Sequence, residues 1–156
     1  MVIMPSPITA EQLANYVVDR CIDDKHPVSN LQLQKIMYLI QAHFLREDEV
    51  SLFDDEFHAW RYGPVIPEIY REFSLNVGNP ITRKHVEEEL TELNPETVNR
   101  IYQMVCTCRA YYPWALVDIS HRSNGAWART YKNGGGYDAV ISKHLIARDS
   151  TLKDVV

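Results

Sequence analysis

What this chain lacks narrows the choices quickly. No apolar run approaches the ~20 residues that a membrane-crossing helix requires, so no spanning segment is expected. Cysteine is scarce: Cys21, Cys106 and Cys108 form an odd set, with no paired spacing that would read as a disulfide framework. The opening MVIMPSPI is short and carries no basic residue, so it does not read as an export signal. These absences point to a reducing, cytoplasmic setting. Positive charge is in deficit too, with 16 Lys and Arg against 21 Asp and Glu and a net charge of −5. Nonspecific nucleic-acid binders normally present a basic face, so the balance argues against that class and suits a protein partner with a basic surface.

What is present describes one ordinary domain. The 156 residues are 46% hydrophobic and 24% charged, close to the globular average. A chain of this mass buries ~70% of its extended surface, enough for a core without metal or disulfide. A single domain over 1–156 is expected, with a core from about residue 8 to 147. The tail from 148 to 156, polar in HLIARDSTLKDVV, is expected to be loose.

Three helix starts are written in local chemistry. Thr9 with Gln12, and Ser29 with Gln32, have capping-box spacing, and each is flanked by a hydrophobic staple. Asn94 followed by Pro95 marks a third start. Leu13, Tyr16, Val17 and Cys21 share one face of the first helix; Leu33, Ile36, Met37, Ile40 and Phe44 share one face of the second. Val98, Ile101, Tyr102 and Val105 face inward on the third. Between them, residues 57–62 alternate with a period of two, Phe57 and Ala59 against His58, Trp60 and Tyr62, which predicts a short strand ended by Gly63-Pro64. Pro67 starts a short helix, and NVGNPITR (76–83) is expected to supply the second strand of a ribbon. Short helices then follow in WALVDISHR, AWARTY and AVISKHLIA, with KNGGGYD as a flexible loop and Asp138 capping the last helix. The fold class is mainly α: a compact helical bundle with a short two-stranded β ribbon.

Catalytic constellations are not legible. Cys106-x-Cys108 lacks the second pair that a zinc site uses, and residues two apart on a helix point in different directions, so no metal is expected. Ser120 and His121 are sequence neighbours, a spacing that rarely makes a nucleophile–base pair. The carboxylates of HVEEELTELNPE form a block suited to a solvated face, and KNGGGYD lacks the strand-before, helix-after frame of a phosphate loop. The expectation is a protein with no enzymatic activity and no cofactor. The first two helices, joined by DDKHPV, could form a DNA-reading hairpin that presents Gln32, Gln34, Lys35 and Gln41. No basic patch supports this alternative, a transcriptional regulator.

The informative stretch is HAWRYGPVIPEIYREF, where Trp60, Tyr62 and Tyr70 crowd a Gly-Pro step. Two readings stand side by side. The rings cap the core while Gly63-Pro64 turns the chain, or the face opposite Phe57 and Ala59 offers aromatic anchors to a partner. Three segments together, SNLQLQKIMYLIQAHFL, FDDEFHAWRYGPVIPEIYREF and LVDISHRSNGAW, resemble the Panacea domain family, the SocA-like antitoxins often described as phage-associated proteins. The pattern W-x-Y-G-P-V-x-P-x-x-Y is the specific part. The matching residues are Leu33, Lys35 and Tyr38; then Trp60, Tyr62, Gly63, Pro64, Pro67 and Tyr70; then Ser120, His121 and Trp127. Family members often carry Thr-His where this chain has Ser120-His121, and Pro-Trp where it has Ala126-Trp127.

The resemblance implies a mostly helical, non-enzymatic antitoxin that neutralises a cognate protein toxin, encoded by an adjacent gene, through direct contact. It makes the aromatic corner, with His121 and Trp127 nearby, a joint whose rings shape a pocket or platform. Exposed apolar residues on short helices would serve a homodimer as readily as such a complex.

Overall fold

A computed structural model describes residues 5–84 and 88–156. The residues outside that range include part of the opening MVIMPSPI and His85, Val86 and Glu87 of the acidic block. Among the described residues the order is α1 (Ala10–Asp23), α2 (Asn30–Glu47), β1 (His58–Trp60), β2 (Gly63–Val65), α3 (Pro67–Glu72), α4 (Pro95–Arg109), α5 (Pro113–Ser120), α6 (Ala126–Tyr131) and α7 (Lys143–Ala147). Single 3₁₀ turns follow α3, α6 and α7.

Local chemistry starts the helices as the sequence predicts. The Thr9 and Ser29 hydroxyls accept from the backbone N–H of Gln12 and Gln32, and each glutamine side chain reaches back to its cap. The Asn94 carbonyl accepts from Thr97 N–H at 2.8 Å. Each such cap contributes about 1 kcal/mol. Burial outweighs that by far, since a fully buried Leu, Ile, Phe or Met contributes ~1.5–3 kcal/mol. In α2, Leu33, Ile36, Met37, Leu39, Ile40, Phe44 and Leu45 are all buried. Helices α1, α3, α4, α5 and α7 and strand β2 all pack around α2, which is the axis of the molecule.

That position changes what α2's polar residues do. The expected exposed row of Gln34, Lys35 and Gln41 is buried. With so many elements around it, α2 has little solvent side, and its amides fasten non-helical backbone instead. Gln34 accepts from Ile66 N–H at 2.9 Å and donates to Asn30, whose amide donates to the Tyr70 carbonyl at 3.0 Å. Gln41 donates to the Phe53 carbonyl and accepts from Leu52 N–H. The face proposed for a DNA groove is therefore the inside of the protein.

The ribbon also differs from expectation. Gly63-Pro64 does not end the β structure but opens β2, which pairs antiparallel with β1 in the register His58–Val65, Ala59–Pro64 and Trp60–Gly63. Gly63 adopts φ +114°, which lets the chain reverse within two residues. Residues 76–83 form no strand; Ile81 N–H instead bonds the Val28 carbonyl. The free edge of β1 is taken by the segment after α6. Ala59 N–H donates to Ala139, Asp138 N–H to Ala59 and Ile141 N–H to Phe57, each at 2.8 Å. The glycine-rich stretch is thus tied back to the ribbon. Asp138, at φ +65°, sits in that link and caps no helix; Ser142 caps α7 instead, accepting from Leu145 N–H.

Residues 148–156, expected to be loose, pack against the body. Leu152 and Val155 are buried, Arg46 donates to the Val156 backbone oxygen, and Arg122 pairs with Asp154.

Candidate functional site: an aromatic cleft over a buried lysine

The alternation in residues 57–62 places two faces as predicted. Phe57 and Ala59 are buried, and Phe57 meets the Tyr38 ring edge-on with centroids 5.1 Å apart. Trp60 is half-buried and Tyr62 is exposed. Trp60 meets Tyr70 edge-on at 5.1 Å, and Tyr62 meets Trp114 of α5 at 5.4 Å. These four rings line a cleft of about 480 Å³, completed by Leu31, Val65, Val77, Pro113 and Tyr137, with Lys35 at its floor.

Lys35 and Tyr38 are fully buried, on adjoining turns of α2. The Lys35 ammonium donates to the Pro64 carbonyl at 3.3 Å, and no carboxylate among the described residues pairs with it. Burial penalises the charged form and pulls the Lys35 pKa down to about 7. Burial likewise pushes the Tyr38 hydroxyl up. Gly63 lies directly on this lysine. A Cβ there would come within 2.6 Å of both Lys35 Cε and Ser120 Oγ, so the residue is needed for close approach as well as for its positive φ.

Ser120, His121 and Trp127 lie behind the corner, outside the cleft walls. The Ser120 hydroxyl donates to the Val117 carbonyl at 2.8 Å. The His121 ring is stacked on Trp127 with centroids 3.7 Å apart and planes within 2°. Trp127 stacks in turn on Tyr131, and its indole N–H donates to the Trp60 carbonyl at 2.8 Å. The His121 pKa is lowered by burial first and by the nearby Lys35 charge second. This stack, with Trp127 buried at its centre, clamps the backbone of the corner. Pro67 is the first residue of α3. At the outer end, the Trp60 indole N–H and the His58 ring both bond the Asp138 carboxylate.

The motif therefore divides. Lys35, Trp60, Tyr62 and Tyr70 reach the cleft; Tyr38, Gly63, Pro64, Pro67, Ser120, His121 and Trp127 build the joint beneath and behind it. Sequence reasoning missed Trp114 and Tyr137, 59% and 60% exposed, and Tyr112 at 84%. The signal was an aromatic cluster, YYPW, at the start of a short helix, but its exposure depends on which face of α5 meets α2. Cys108 is buried and Cys106 partly exposed, as their spacing predicts, and no three metal-ligating side chains converge among the described residues.

A mostly helical domain built around one buried helix, with a rigid aromatic corner, is the setting in which comparison with known proteins becomes informative. The chain belongs to the family described as antitoxin SocA-like, Panacea domain, whose pattern matches residues 33–128, from the first turn of α2 to the middle of α6. It is also similar to Antitoxin SocA of Caulobacter vibrioides (strain NA1000 / CB15N), 28% identical over 159 residues, covering 96% of this chain and 83% of that protein. No solved structure matches the chain. Among the described residues, no helix is long and apolar enough to cross a membrane.

Proposed function

We infer that this protein is a cytoplasmic antitoxin that neutralises a protein toxin, encoded by an adjacent gene, by binding it directly and without catalysis. The observation that carries this reading is the unburied aromatic rim. Tyr62, Trp114 and Tyr137 stand in solvent around a preformed cleft, although a monomeric domain gains by burying such rings. Large, rigid aromatic side chains give an interface contact area at little entropic cost, and they dominate binding energies where they are found. Their support is stiff, because Lys35, Gly63, Ser120 and the His121–Trp127 stack hold the corner from below. The family membership and the relative named as an antitoxin point the same way. The DNA-binding alternative loses its basis once Gln34, Lys35 and Gln41 are inside the core.

The test is co-expression with each neighbouring reading frame, scoring growth rescue and co-purification. Rescue with a stable complex that Trp114→Ala weakens supports binding through the rim. Rescue with no complex, or a complex indifferent to Tyr62, Trp114 and Tyr137 substitutions, would sink this reading.

A further inference from the structure

The cleft has a chemical bias that protein docking does not require. The chain carries 21 Asp and Glu against 16 Lys and Arg, yet no carboxylate lines this cavity. Its two charged lining residues are Lys35 and Arg61, one at the floor and one at the rim. Lys35 has three N–H donors and uses one, a long 3.3 Å bond to the Pro64 carbonyl. Two other polar side chains of the lining are already engaged. Gln34 is spent on Asn30 and Ile66, and Ser29 on the α2 cap. A buried lysine without a counter-ion, under an apolar cavity of ligand size, would hold its proton more readily beside an anion.

We propose that the cleft binds a free small carboxylate with an apolar, ring-sized body. The body lies among Trp60, Tyr62, Tyr70 and Trp114, and the carboxylate meets Lys35, with the Arg61 guanidinium closing the rim. A ring-sized apolar body fits better than an acyclic polyanion, because the rings of Trp60, Tyr62, Tyr70 and Trp114 make up much of the walls. A neutral aromatic leaves Lys35 uncompensated. The inference does not rest on the antitoxin reading, since the site is complete within one chain.

The experiment is a titration of the isolated full chain with indole-3-propionate and, in parallel, with indole-3-propionamide. It is followed by calorimetry and by the indole N–H resonances of Trp60, Trp114 and Trp127. The expected result is saturable binding of the acid that shifts Trp60 and Trp114 more than Trp127. The amide should bind at least about tenfold more weakly, one unit in log Kd. Lys35→Met, with folding checked by its thermal transition, should abolish the preference for the acid. Trp114→Ala alters an exposed ring, leaves the fold in place and should weaken acid and amide together. Equal binding of acid and amide, or binding of neither, would overturn the proposal. Binding only of peptides bearing the same carboxylate would also overturn it, by moving the carboxylate to a partner protein. No toxin is present in this titration, so its failure leaves the co-expression result untouched.

Discussion

The two sides of the Trp60–Tyr70 corner use the same kinds of residue for opposite ends. On the inner side, His121 stacks on Trp127, Tyr38 meets Phe57 edge-on, and Gly63 leaves room for nothing larger than hydrogen over Lys35. On the outer side, Tyr62, Trp114 and Tyr137 touch in part and otherwise face water. Aromatic content does not separate the two. What does is whether another part of the chain packs over each ring: the inner set is covered, and among the described residues the outer rings stay exposed. Stability should therefore respond to changes on the inner side and binding to changes on the outer side. That division can be tested one substitution at a time.

The largest effect is expected at Gly63. Gly63→Ala combines a backbone conformation that L-residues rarely adopt with Cβ contacts of 2.6 Å to Lys35 and Ser120. Each source of strain costs ~1–3 kcal/mol, so a loss of about 2–6 kcal/mol in urea or thermal unfolding is expected. A variant as stable as the parent would mean that the corner is not a joint. Trp114→Ala is the opposite case. Unfolding should change by no more than about 0.5–1 kcal/mol, as for an exposed side chain, while affinity for the toxin falls by ~2 kcal/mol, roughly thirtyfold. Calorimetry on the purified complex measures the second figure and a melt of the free protein the first. If Trp114→Ala unfolds the protein, the outer side is part of the core and the comparison fails.

How much of this was legible in the sequence follows from how local each feature is. The caps at Thr9, Ser29 and Asn94 were readable because donor and acceptor lie three residues apart. Phe57 and Ala59 were readable because a strand alternates whatever surrounds it. The burial of Gln34, Lys35 and Gln41 was not, because an amphipathic pattern assumes a solvent side. Here that side is covered by the 49–70 segment, whose backbone needs those very amides. Gly63-Pro64 was misread for a related reason. A proline lacks the N–H a strand interior uses, but on a two-stranded edge Pro64 needs only its carbonyl, which Lys35 takes. Asp138 looks like a cap by position and is instead an acceptor for Trp60 and His58, 78 and 80 residues earlier in the chain. Within the site, the motif residues could be named but not divided into wall and foundation. That division depends on the packing of α2 against α5 and β2.

Lys35 belongs to both sides, and its predicted effect depends on pH. Its folded pKa is lowered from 10.5 to about 7, so between those values the unfolded chain holds a proton that the folded chain does not. Stability contributed by this group therefore rises with pH across that window; below pH 7 the folded protein carries a buried, unpaired cation at full cost. A titratable group near it, His121 just after α5, has its own pKa lowered, so it does not titrate within the window. Lys35→Met should raise the unfolding free energy by about 1–3 kcal/mol at pH 6, with the advantage shrinking as pH approaches 10. Chemical denaturation at several pH values gives the profile. Parallel curves for parent and variant would show that the lysine is not the source of the slope.

The smallest effect is expected where inner and outer sides share one ring. Trp60 presents its face to the cleft, accepts from Trp127 through its carbonyl and donates its indole N–H to Asp138 at 2.9 Å. Trp60→Phe keeps a ring against Tyr70 and keeps the backbone bond, and it removes only the indole donor. A loss of about 0.5–1.5 kcal/mol is expected, the ordinary worth of one hydrogen bond. The consequence should be visible at a distance in sequence. The Asp138 carboxyl is held below the usual carboxylate range first by the Trp60 indole and then by His58. In Trp60→Phe its midpoint should rise part of the way back, since His58 remains, and carboxyl carbon shifts in a pH titration would show it. Toxin binding should change less than in Trp114→Ala, because the wall of the cleft still carries a ring. If the two variants lose affinity equally, the indole N–H link to Asp138 orients the outer rim, and the boundary between foundation and binding surface lies on the outer side of Trp60.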